Sequence, residues 1–166
     1  MSDLKWDYHI SQSLSKAKQC VGWVSRSVIF RELSVMLNIY KSLVRPNLEY
    51  CVQLWCPVPA HGNWSTIMEL ESVQRSFTRL IDGIGLLPYR ERLQKLKLTT
   101  LIERRARGDL IEVFKTFRGK CNYGDHFFNK SRSGYNILLS GDHATKVNAF
   151  QTRVVKYWNK LDKSVI

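Results

Sequence analysis

The sequence predicts an all-α fold, a bundle of five to six amphipathic helices with one irregular segment. Three observations carry that expectation. Apolar residues recur every three or four positions along most of the first 119 residues; the Gly- and Pro-rich breaks at 56–63 and 82–88 fall between such stretches; and the one run with strand character is Tyr135 to Leu139. The expected organisation is a helical domain over 1–119, an irregular segment over 120–146, and a C-terminal helix over 147–166 that packs back on the bundle.

Residues 3–6 read as an extended lead-in. Ile10, Leu14, Ala17, Val21, Val24 and Val28 then alternate steps of four and three, the mark of one amphipathic helix, with Asp7 placed to cap it. Arg31 and Glu32 interrupt the pattern, and a corner there leads into the stretch on which the rest is organised, Met36 to Pro57. Its apolar face runs through Leu33, Leu37, Tyr40, Leu43 or Val44, Leu48, Cys51 or Val52, and Trp55. Pro46 has no N–H and its ring crowds the preceding turn, which predicts either a kink or a stop at Val44 with Pro46 opening a second helix.

After the breaker loop, Thr66 and Glu69 stand at capping-box spacing before Ile67, Leu70, Val73, Phe77, Leu80, Ile81 and Ile84, and Asp82-Gly83 with Gly85 ends that helix. Pro88 opens a shorter helix with Tyr89, Leu93 and Leu96. A second box, Thr100 with Glu103, opens a longer one through Leu101, Leu110, Val113, Phe114 and Phe117, closed by Gly119. Phe150, Val154, Val155, Trp158 and Leu161 give the final helix.

Composition narrows the function classes. The chain carries 26 basic against 14 acidic side chains, a formal net charge of +12, so a polyanion is the expected partner. Twelve basic and five acidic residues lie between Arg75 and Lys120, which concentrates more than half of that charge in under a third of the chain. Cys20, Cys51, Cys56 and Cys121 include no Cys-x-x-Cys pair and no His at metal spacing; they read as reduced thiols of an intracellular protein, with no metal site. No secretory signal and no membrane-length apolar run is visible. His9, His61, His126 and His143 are far apart, and no Ser or Cys stands in a nucleophile elbow, so no catalytic residue is assigned.

The string Tyr40-Lys-Ser-Leu-Val-Arg-Pro-Asn-Leu-Glu-Tyr-Cys-Val-Gln-Leu-Trp-Cys-Pro57 resembles a signature found downstream of the polymerase core in reverse transcriptases of non-LTR (LINE-like) retrotransposons, of the jockey and chicken-repeat kind. Two further blocks resemble that family in the same order: Leu70-Glu-Ser-Val-Gln-Arg-Ser-Phe-Thr-Arg-Leu-Ile81, and Tyr89 to Leu93 continuing through Leu98 to Lys115. The resemblance covers only the region after the palm, and implies a helical thumb that packs along a template–primer duplex. It implies no autonomous catalysis: the palm's paired aspartates are missing, since no Asp-Asp pair occurs, and the magnesium that such a pair holds would belong to the absent palm. The implied partners are RNA, DNA or an RNA–DNA hybrid, and a palm-containing reverse transcriptase chain. The alternatives are a repurposed protein-interaction module and a non-functional element remnant.

The expected phosphate contacts are Arg75, Arg79, Arg90, Arg92, Arg104, Arg105 and Arg107, because a guanidinium fork matches phosphate oxygens and needs no base sequence. Arg104, Arg105 and Arg107 fall in the first turns of their helix, where cations oppose the dipole, as if kept for a partner. Trp23 and Trp64 lie off the cleanest stripes and are the candidates for base stacking or a domain contact; Trp6, Tyr40, Tyr50, Trp55, Phe77, Phe114, Phe117 and Trp158 read as core.

Overall fold

A computed structural model describes residues 6–57, 64–120, 129–130, 137–138 and 150–162, and the chain is all-α. The lead-in expected before Trp6 and most of the segment 120–146 lie outside the described residues. Helix α1 spans Asp7–Ser27 and buries Ile10, Leu14, Ala17 and Val24 from the stripe that predicted it. Asp7 is not its cap. Trp6 holds that position without a side-chain hydrogen bond, and Asp7 lies in the first turn, where its charge faces the positive end of the helix dipole.

The central stretch is a composite. Helix α2, Leu33–Ile39, runs into a π turn, Tyr40–Val44, and on into α3, Arg45–Glu49. Helical backbone continues through Val44, so of the two expected outcomes the stop does not occur, and Pro46 sits in the first turn of α3. A regular turn would set the Pro46 ring against the Ser42 carbonyl and leave that carbonyl without a donor. The wider turn relieves the crowding: the Arg45 N–H reaches back five residues to the Tyr40 carbonyl. Side chains serve neighbouring carbonyls, with Asn47 Nδ2 donating to Leu43 O at 2.7 Å and Ser42 Oγ to Asn38 O at 2.9 Å.

The break comes later, at Cys51, whose φ of 49° is left-handed. The single turn α4, Val52–Trp55, follows, and the Trp55 indole N–H donates to Tyr50 O at 2.8 Å. That reversal puts Val52 and Trp55 in the core but turns Tyr50 outward, 74 % exposed, against the expectation that it is core.

Helix α5, Trp64–Arg79, begins two residues before Thr66, so the expected Thr66 and Glu69 box does not cap it; Glu69 instead meets Lys18 of α1 at 2.8 Å. Of its expected apolar face Ile67, Leu70, Val73 and Phe77 are buried on the helix, with the Phe77 ring 5.3 Å from that of Tyr40, while Leu80, Ile81 and Ile84 fall in the turn that follows it. Helix α6, Tyr89–Leu96, starts from Pro88. Helix α7, Leu101–Phe117, has the full box: Glu103 N–H to Thr100 Oγ1 at 3.2 Å and Thr100 N–H to Glu103 Oε2 at 3.1 Å. Strand β1, Asn129–Lys130, pairs antiparallel with β2, Ile137–Leu138, inside the predicted strand run, and α8 spans Phe150–Trp158.

Among the described residues, counting the composite once and setting α4 aside leaves six helices of at least two turns. Helix α1 lies against the π turn, α3 and α5; α5 carries α6 and α7; α7 carries α8. Two apolar clusters result. The larger joins α1, the composite and α5 with Leu96 and Leu101; the smaller joins Val113 of α7, Ile137 of β2, and Val154 and Trp158 of α8. Between them Arg153 of α8 meets Asp109 of α7 at 2.7 and 3.1 Å and Gln53 O at 3.2 Å. The Asn159 amide closes the edge of β2, donating to Ile137 O and accepting from Ile137 N–H, each at 3.0 Å. Among the described residues no helix is long and apolar enough to cross a membrane.

Candidate nucleic-acid interface

The turn after α5 brings the candidate arginines to one place. Gly83 takes φ 75°, and a Cβ on Gly85 would stand 2.4 Å from Arg79 O, so the chain doubles back tightly on the end of α5. The Asp82 N–H donates to Arg31 O at 3.0 Å, which ties this turn to the loop between α1 and α2. Together they wall an open cleft of about 1060 Å³ lined by Arg31, Arg75, Arg79, Tyr89 and Arg92, with Leu86 at its rim. Asp82 is the one carboxylate among the described lining residues.

The cleft arginines divide by what their guanidiniums already hold. Arg92 is 2 % exposed, and its Nη1 donates to Arg75 O and Thr78 Oγ1, both at 2.8 Å, capping the last turn of α5. Burial lowers its pKa, and Arg79 and Arg75 push it down further. Arg31 donates to Ser25 O at 2.7 Å and Val28 O at 3.3 Å, serving the end of α1 in the same way. Arg75 and Arg79 are exposed, with the Arg75 guanidinium 4.9 Å from the Tyr89 ring centroid and that of Arg92 5.3 Å from it. The Tyr89 ring thus has two guanidiniums close to it, and the exposed positive charge of the lining belongs to Arg75 and Arg79.

The remaining expected contacts lie elsewhere. Arg90 is exposed on α6 and does not line the cleft. Arg105 is 4 % exposed, donates to Leu48 O at 3.0 Å and sits 5.3 Å from the Trp55 ring. Burial lowers its pKa and raises that of its neighbour, the Cys56 thiol. Arg104 pairs with Glu49 at 2.6 Å. Two of the seven expected phosphate contacts, Arg92 and Arg105, are therefore corrected: they are interior groups holding backbone carbonyls. Arg107 is exposed. The dipole conflict at the start of α7 is met inside the chain, because Glu71 accepts the Leu101 N–H at 2.9 Å and Glu103 closes the box. Trp23 and Trp64, each 54 % exposed, stand on α1 and at the start of α5, and neither lines the cleft.

Tyr89 of the lining also belongs to a buried polar network for which the sequence pattern raised no expectation. The Tyr40 hydroxyl donates to Gln74 Oε1 at 2.5 Å; Gln74 Nε2 donates to Tyr89 Oη at 2.8 Å and Thr99 O at 3.1 Å; the Tyr89 hydroxyl donates to Glu71 Oε1. Glu71 and Gln74 are 5 % and 1 % exposed. The one available signal was position: Glu71, Gln74 and Thr78 follow one another at three and four residues along α5, beside its apolar stripe. The network fixes Tyr89 against α5 and the start of α7. No protein-family model, curated protein or solved structure matches the chain.

Proposed function

We propose that the chain is a helical module that binds the backbone of a nucleic acid, corresponding to the region after the palm in a non-LTR reverse transcriptase. One observation carries the reading: Arg75 and Arg79 project, exposed, at a cleft whose other cations are locked to carbonyls and whose described lining has a single carboxylate. Exposed arginines held beside other cations lower their mutual repulsion by taking an anion, and a phosphate diester fits the guanidinium fork. The resemblance of the three sequence blocks supports the same reading independently of the charge. In this reading the module positions nucleic acid for chemistry that a palm-containing chain performs.

The test is a titration of the purified chain with a labelled RNA–DNA hybrid and with single strands over a series of salt concentrations. Arg75→Ala with Arg79→Ala should weaken binding and flatten the log K against log salt line by roughly two, near 0.9 for each lost contact to duplex phosphates. A wild-type chain that binds neither form at low salt, while folded, refutes the proposal.

A second reading, a protein-interaction module, is favoured by Trp64 and Met68, which stand four residues apart on α5 and are 54 % and 53 % exposed. It predicts a partner contact indifferent to salt and lost in Trp64→Ala.

A further inference from the structure

The two loops that supply the walls of the cationic cleft also carry exposed apolar side chains. Ile29 and Phe30, 84 % and 83 % exposed, immediately precede Arg31 of the lining, and Leu86, 104 % exposed, is itself a lining residue. The Asp82 N–H to Arg31 O bond holds the two loops together, so these side chains and the arginines belong to one locality. Exposing two aliphatic groups and an aromatic ring so completely is unfavourable in water, and the core offers no reason for it, because none of the three joins either apolar cluster.

We infer that the cleft takes a single strand of nucleic acid, with phosphates on Arg75 and Arg79 and an unstacked base on the Phe30 ring. The inference rests on the backbone-binding proposal and adds which form of nucleic acid the same cleft selects. A ligand here must offer two things at once, negative charge to the arginines and a flat apolar face to the loop tips. A duplex offers the first but keeps its base faces stacked inside. A single strand offers both, in alternation along its length, and stacking on an aromatic ring tolerates any base.

Fluorescence anisotropy with a short labelled uridine oligonucleotide and a blunt RNA–DNA hybrid of equal length tests this on the full chain. The single strand should bind more tightly. Phe30→Ala, a change at an exposed loop position that the fold does not use, should weaken single-strand binding about tenfold, within the range of one lost stacking contact, and leave hybrid binding unchanged. Phe30→Trp should retain or improve it. Hybrid binding as tight as single-strand binding, or a Phe30→Ala chain indistinguishable from wild type, overturns the inference and leaves the backbone proposal standing. No binding to either form overturns both. Phe30-dependent capture on vesicles of phosphatidylserine in phosphatidylcholine, without preference for single strands, also overturns it.

Discussion

Asp109→Ala is the substitution whose cost the structure defines best. Both members of the Asp109 and Arg153 pair are 7 % exposed, and the carboxylate accepts from Arg153 Nε at 2.7 Å and from Nη2 at 3.1 Å. Removing the carboxylate leaves the buried guanidinium with one carbonyl, Gln53 O at 3.2 Å, and an Nη1 that already lacks a protein partner. Breaking a buried pair in this way costs about 3–5 kcal/mol, because the surviving charge is uncompensated. The chain has a cheaper escape. Helix α8 contributes Val154 and Trp158, each 1 % exposed, to the smaller cluster, and each is worth roughly 2–3 kcal/mol of burial. The two quantities are comparable, so the variant should release α8 before it unfolds the main bundle. Hydrogen exchange should show amides of 150–158 losing protection while α1 and α5 keep theirs, and urea denaturation should become less cooperative. Asp109→Leu with Arg153→Met should restore α8 protection, since a matched apolar pair removes both charges together. Unchanged exchange in α8 and a loss below about 1 kcal/mol in Asp109→Ala would refute the reasoning.

Gly85→Ala should lower stability by about 1–3 kcal/mol, the usual cost of forced overpacking, because its Cβ would meet Arg79 O at 2.4 Å; since the same carbonyl belongs to a cleft residue, thermal denaturation and oligonucleotide binding should both suffer, and a neutral result would contradict the close approach. Burial raises the hydroxyl pKa of Tyr40, and burial with the Glu71 hydrogen bond raises that of Tyr89. The folded chain therefore keeps protons that the unfolded chain loses near pH 10, so stability should be full below about pH 10 and fall as pH rises further. Absorbance at the tyrosinate band should show Tyr40 and Tyr89 titrating only together with unfolding; Tyr89→Phe should remove part of that pH dependence.

Local signals were legible where a residue's role is decided within its own turn. The Thr100 and Glu103 box forms because both partners are three residues apart and need nothing else. The stripes of α1 and α8 were legible for the same reason: periodicity reports which face avoids water. Thr66 and Glu69 have the same spacing as the true box, yet α5 starts earlier and Glu69 finds Lys18 of α1, a contact decided by the packing of two helices.

The arginines show the limit most clearly. Arg75, Arg79, Arg92 and Arg105 are chemically equivalent as sequence, and all were expected to meet phosphate. Two of them meet carbonyls of other segments, Arg75 O and Leu48 O, which a helical pattern cannot place. Arg31 was legible only as an interruption, although a cation just past a helix end is well placed to serve its last carbonyls. Glu71 and Gln74 drew no expectation from the sequence, because what makes them interior is the arrival of Tyr40, Tyr89 and the start of α7 from distant segments.

The π turn gives the central segment an unusual ruling. Met36, Tyr40, Val44, Leu48 and Val52 are all buried and fall at strict steps of four, while Asn38, Ser42, Pro46, Tyr50 and Leu54, also four apart, are all exposed. In an unbroken α-helix such a series would wind about 40° further round the axis at each step. The wide turn takes up part of that winding, and the left-handed Cys51 resets the rest. In effect the helix carries one residue more than its turns require. Removing Ser42 would leave the halves before and after it facing the same neighbours, yet it would close the wide turn and set the Pro46 ring against the carbonyl four residues before it, so the extra residue is what lets a proline stand inside the central segment without turning the bundle out of register.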